Sequence, residues 1–150
     1  MKKFILPTLL AATAFTLAPT PSADAHCQVP CGIYDDANVL AEMKTDIATI
    51  KKAMGQITEL AGDSKNANQV TRWVNNKEQH AQNIQDTVAK YFLAQRIKLD
   101  ESNSEEYIKK LTLLHQITVY AMKCKQTTDV ENVTKLDAAY QAFVKAYHAH

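Results

Sequence analysis

Apolar residues recur along most of the chain with spacings of three and four, and this pattern divides it into four amphipathic stretches. The first predicts a helix from about Ala37 to Ala61, with Leu40, Met43, Ile47, Ile50, Met54 and Ile57 on one face. Alternating steps of three and four are the seam of a helix that packs against other helices. Asp35 or Asp36 supplies an N-cap acceptor, and Gly62 suits the stop. The second helix is expected over about Ala67 to Ile97, on Val70, Trp73, Val74, Ala81, Ile84, Val88 and Tyr91. Its stripe is interrupted, because the positions that continue it at 77 and 80 hold Lys77 and His80.

A third helix is expected from Ser102 or Ser104 to about Cys124, with Ser102-x-x-Glu105 fitting a capping box. Its stripe reads Ile108, Leu111, Leu114, Thr118, Ala121 and Met122. The fourth follows Thr127-Thr128-Asp129 and uses Val130, Val133, Leu136, Tyr140, Phe143 and Tyr147. Short connections favour antiparallel neighbours. The expected fold is therefore all-α, an antiparallel up-down four-helix bundle over 37–150.

The first 25 residues break this pattern. Lys2 and Lys3 precede an apolar stretch from Phe4 to Leu17, and Ala23-Asp24-Ala25 forms an A-x-A end. Three of the four prolines, Pro7, Pro19 and Pro21, fall here. This reads as a secretory signal peptide over 1–25, removed to leave an exported chain beginning at His26. Its location is then periplasmic or extracellular. Removing Lys2, Lys3 and Asp24 from 17 basic and 16 acidic residues leaves no net charge. A neutral chain argues against nucleic acid as a partner. No later apolar run approaches the roughly 18 residues of a membrane span, so no membrane is expected in the mature form. Any steering of a charged substrate must then come from local lysines such as Lys77 or Lys98.

Chemistry concentrates in residues 26–36. The mature chain would begin His26-Cys27-Gln28-Val29-Pro30-Cys31-Gly32-Ile33-Tyr34-Asp35. It offers an α-amine, whose ordinary pKa is about 8, an imidazole, two thiols and backbone amides. A metal on the His26 amine closes chelate rings through the backbone nitrogen and the sulfur of Cys27. Pro30 and Gly32 favour a turn that returns Cys31 as a second thiolate. The result is a planar set of two nitrogens and two sulfurs, with the His26 ring free to approach from one side. Planar coordination by such donors suits Ni(II) or Cu(II) better than tetrahedral zinc. Anionic donors also stabilise a higher oxidation state, which points to one-electron redox chemistry.

The motif His-Cys-x-x-Pro-Cys-Gly-x-Tyr-Asp at a mature N-terminus resembles the nickel hook of the nickel superoxide dismutases. Chain length and the four-helix pattern agree, and Lys77-Glu78-Gln79 is similar to a stretch of that family. The resemblance implies disproportionation of superoxide to dioxygen and hydrogen peroxide, with a nickel ion cycling between Ni(II) and Ni(III). It implies metal ligation by His26, Cys27 and Cys31, with Tyr34 beside the open face and Glu42 holding the axial His26 ring. A homohexamer is implied as well, and a processing peptidase is needed to expose His26. Three positions depart from the family pattern. Gln28 stands for an aspartate, Asp36 for a proline, and His80 aligns with an arginine that helps hold the axial ring.

Other readings of these residues are less pointed. Cys27 and Cys31 of an exported chain could form a disulfide, giving a non-catalytic helical bundle with at most a metal-binding role. Cys124 reads as a small buried residue. His115 reads as surface or boundary, and His148 and His150 as tail residues. Tyr91, Tyr107, Tyr120, Tyr140 and Tyr147 read as core or interface aromatics. For His80, a satisfied core residue and a neighbour of the metal's axial ligand are equally good readings.

Overall fold

The computed structural model describes residues 36–99 and 104–148. Their regular elements are all helical: α1 over Asp36–Leu60, α2 over Ala67–Thr87, α3 over Glu105–Gln126 and α4 over Val130–Tyr147. A short 3₁₀ turn, Ser64–Asn66, leads into α2, and a π-helical segment, Val88–Arg96, continues it. The seam of α1 is buried at every expected position from Leu40 to Ile57. Asp36 is the first helical residue of α1 and not its cap, and Asp35 lies outside the described residues. Gly62 follows α1 at φ 100°, a left-handed conformation in which a side chain would be strained.

Side-chain pairings fix the topology. His80 meets Asp46 and Tyr91 meets Asp36, so α2 and its extension run antiparallel to α1. Lys77 reaches Cys124 while Gln85 reaches Thr118, so α3 runs antiparallel to α2. Tyr147 meets Asp36 and Tyr140 meets Leu40, so α4 also opposes α1. These pairings make an up-down bundle. Its core holds Met43, Ile50, Met54, Ile84, Leu114, Ile117 and Leu136, and at one end Phe92 and Phe143 in edge contact at 4.9 Å. Each such side chain contributes about 1.5–3 kcal/mol by leaving water, more than helix propensity supplies.

The stripes of the other helices need correction. In α3, Ile108 and Met122 are 58% and 41% exposed, while Lys110, Leu114, Ile117, Ala121 and Cys124 face inward. That set keeps steps of four and three, and it wins because it places Ile117 and Cys124 inside. Val130 is exposed, and Val70, Trp73 and Val74 are only half-buried because α2 begins at the bundle's rim. Ser104, not Ser102, caps α3, accepting from the Tyr107 amide at 3.0 Å. Asp129 caps α4 through the Glu131 amide at 3.0 Å. The π-wound end of α2 was expected as ordinary α-helix; its carbonyls are met five residues on, as from Ile97 N–H to Phe92 at 2.9 Å. No helix among the described residues is long and apolar enough to cross a membrane.

Candidate functional site

The end of the bundle where α1 begins carries the polar features. An open cleft of about 720 Å³ runs between the first turns of α1 and the last turns of α2. Its walls include Asn38, Glu42 and Asp46 from α1 and Asn83, Asp86 and Thr87 from α2. The spacing of Asn38, Glu42 and Asp46 is four, so one helix face presents all three. Glu42 is exposed and makes no hydrogen bond or ion pair with another described residue. Asp86 is paired with Lys90 at 2.8 Å, and the hydrogen bonds from Lys90 and Gln82 hold its carboxyl below the usual range.

Asp46 lies one turn beyond Glu42 and is nearly buried. Its Oδ1 meets Nδ1 of His80 at 2.6 Å. A carboxylate only accepts, so Nδ1 carries the proton and Nε2 is the second working nitrogen of the ring. His80 is thus oriented by a carboxylate on the neighbouring helix, and Glu42 stands one turn from that carboxylate. The structure brings Glu42 and His80 to the same region through Asp46, which sequence reasoning did not single out.

The signal for Asp46 was present. Asp46 falls three residues after Met43, on the edge of the α1 seam, and His80 interrupts the stripe of α2. A polar residue that interrupts an apolar seam needs a partner, and Asp46 and His80 supply each other's. Lys77, the other interruption, does not join His80. It is 3% exposed and donates to the carbonyls of Cys124 at 2.7 Å and of Lys125, and to Glu78 Oε1 at 2.9 Å. It therefore caps the C-terminus of α3 and is no exposed steering charge; Lys98 remains exposed.

At the first residue of α1 a second polar cluster forms. Asp36 Oδ2 accepts from Arg96 Nη2 at 2.8 Å and from the Tyr147 hydroxyl at 2.6 Å. Its Oδ1 accepts from the Tyr91 hydroxyl. Arg96 Nε closes the ring by donating to the Tyr147 oxygen at 2.9 Å. Burial opposes ionisation of Asp36, but the hydrogen bonds from Tyr147, Tyr91 and Arg96 outweigh it and keep the carboxyl below its ordinary range. Burial and the bond to Asp36 push the Tyr147 hydroxyl up to about 12, and Tyr91 rises for the same reasons. Tyr91 and Tyr147 are thus more than the core aromatics expected of them.

His26, Cys27, Cys31 and Tyr34 lie outside the described residues. Among the described residues no group of three or more His, Cys, Asp or Glu side chains is placed to hold a metal ion. Cys124 is fully buried, and desolvation pushes its thiol up to about 11, so it stays an inert thiol. His115 and His148 are exposed on α3 and at the end of α4.

The described residues therefore define a helical bundle with a polar cleft at one end, a scaffold without a metal cluster of its own. The chain belongs to the nickel-containing superoxide dismutase family, whose model matches residues 21–150. It is accordingly an oxidoreductase that acts on superoxide, and nickel is its cofactor. Comparison with curated proteins and with solved structures returned no match.

Proposed function

We propose that the chain is exported, cut after Ala25, and works as a dismutase whose nickel is held by the first residues of the new N-terminus. The observation that carries this reading is the coincidence of family membership with the motif His26-Cys27-x-x-Pro30-Cys31-Gly32-x-Tyr34-Asp35.

The donor set fits nickel. A deprotonated amine of His26, the backbone nitrogen of Cys27, the sulfurs of Cys27 and Cys31 and the His26 ring would hold it, a strong nitrogen and sulfur donor set that suits Ni(II). When bound, nickel would supply the Ni(II)/Ni(III) couple needed to oxidise one superoxide and reduce another. The remaining work belongs to the chain. Both thiols and the amine have to lose protons before ligation, so cleavage after Ala25 creates a ligand as well as releasing the protein. Tyr34, three residues after Cys31, would limit access to the metal. Glu42 would accept from the His26 ring and fix its orientation. His80, held by Asp46 one helical turn from Glu42, would take the place of the family arginine. Assembly into a homohexamer and processing by a dedicated peptidase belong to the same reading.

The test is metal analysis with a superoxide assay on protein processed to His26. About one nickel per chain with rapid superoxide loss supports the proposal. Zinc as the bound metal, or full function with a Cys27–Cys31 disulfide, overturns it.

A further inference from the structure

We infer that Asp36, gripped by Arg96, Tyr91 and Tyr147, is a positioning residue that fixes where and in what direction the metal-binding segment leaves the bundle. The inference rests on the reading that residues 26–31 hold the nickel. Asp36 is five residues from Cys31 and two from Tyr34. An acid in the first turn of a helix is ordinarily left in solvent, where it already favours the helix dipole. Here the carboxylate is instead turned into the bundle, 15% exposed, and is bound from two other elements. Tyr147 comes from the last residue of α4, and Tyr91 and Arg96 from the π-helical end of α2.

The winding of that end is a separate observation pointing the same way. Tyr91 and Arg96 are five residues apart. On an α-helix they would lie about 140° apart around the axis. The wider five-residue hydrogen-bond register reduces that angle to about 50°, which turns both side chains toward the same carboxylate. Extended π winding is rare and gathers at functional sites. It runs from Val88 to Arg96 and ends at the residue that grips Asp36. Phe92 and Phe143 pack edge-on beneath the cluster, each against the Tyr147 ring, so the donors are held by the core. A segment that starts from a fixed residue loses less conformational freedom when it closes on a metal.

The experiment uses nickel-loaded protein processed to His26, in wild-type form and as Asp36→Ala, Tyr147→Phe and Ile117→Val. The last is a core change on α3 that leaves the cluster untouched. Nickel release into excess chelator is timed, the oxidised-nickel electron paramagnetic resonance spectrum is recorded, and hydrogen exchange is followed in the peptide spanning residues 34–40. Asp36→Ala is expected to release nickel at least ~10-fold faster and to broaden the spectrum. Tyr147→Phe shifts both in the same direction by a smaller factor and serves if Asp36→Ala does not fold. Ile117→Val lowers the melting temperature but leaves both readouts at wild-type values.

Wild-type release and spectrum in the folded Asp36 and Tyr147 variants overturn the inference while leaving the functional reading intact. If the wild-type chain takes up no nickel, the functional reading fails, and exchange alone decides on the positioning. Exchange at least ~10-fold faster in Asp36→Ala upholds the fixed exit, and unchanged exchange overturns it.

Discussion

Replacing Lys77 by Met separates the capping role seen in the structure from the steering role that the sequence suggests. The methionine keeps the length and apolar stem of the side chain and removes the ammonium. In the structure that ammonium meets the carbonyls of Cys124 and Lys125, two of the last four of α3, which have no partner within their own helix. The Cys124 bond is buried and the Lys125 bond partly so. Leaving a buried carbonyl without a donor costs about 1–3 kcal/mol, and a partly exposed one less. Loss of a cation at a helix C-terminus adds about 0.3–1 kcal/mol. Relief of burying a charge offsets some of this. A net loss of about 3 kcal/mol follows, and at about 4 °C per kcal/mol for a chain of this size the melting temperature falls by about 12 °C. The assay is thermal unfolding by circular dichroism at fixed protein concentration, since assembly shifts the transition. Superoxide kinetics are followed over a salt series in parallel. A fall under about 3 °C, or unchanged stability with a lost salt dependence of kcat/KM, would refute the capping account and return Lys77 to a steering role.

Other consequences are as direct. Cys27→Ser and Cys31→Ser should each abolish nickel-dependent dismutation while the far-ultraviolet dichroism of the bundle is unchanged, because both residues precede α1; activity retained in either variant counts against the ligand set. A double-mutant cycle of Asp46→Ala and His80→Ala, read by denaturant unfolding, should show a coupling of about 1 kcal/mol from their 2.6 Å bond, and additive losses would mean that Asp46 does not hold the ring. The Asp36 carboxyl is depressed below its ordinary 3.8, so the stability it provides is complete above that pH and is lost as pH falls through the depressed value. Tyr147 is raised from 10.0 to about 12, so its contribution is complete below pH 10 and is lost as pH rises toward 12. Melting temperatures across pH should therefore fall at both limits, with the acid limb flattened in Asp36→Asn and the alkaline limb in Tyr147→Phe; identical profiles in all three proteins would contradict the cluster's role.

The four helices were legible because burial follows period, and α1 shows this most cleanly, with six seam residues inside from Leu40 to Ile57. The α3 stripe was misread because Ile108 and Met122 are apolar yet exposed, and hydrophobicity alone does not say which of two overlapping stripes faces in. Lys110 belongs to the buried set, which no hydrophobic pattern announces. The π winding of Val88–Arg96 was invisible for another reason: its justification lies in Asp36, more than fifty residues away in sequence. For the site, the motif over 26–35 stands out as a pattern because chelation by adjacent residues is a local property, and its residues lie outside the described ones. The groups around it were not legible in the sequence. Asp46 and Arg96 acquire meaning only when α2 is laid against α1, and His80 could be placed but not partnered. Asp36 was read as a substitution for proline; its carboxylate proves to be tied to three side chains.

The most direct test of the account compares two proteins that differ by one residue: the chain beginning at His26 and the same chain retaining Ala25. Nickel content per folded chain is measured alongside superoxide consumption. The first is expected to hold about one nickel and to dismutate superoxide rapidly, and the second to lose both, because an amide at residue 26 is a far poorer ligand than a free amine. Equal nickel content and equal dismutation in the chain that keeps Ala25 would contradict it.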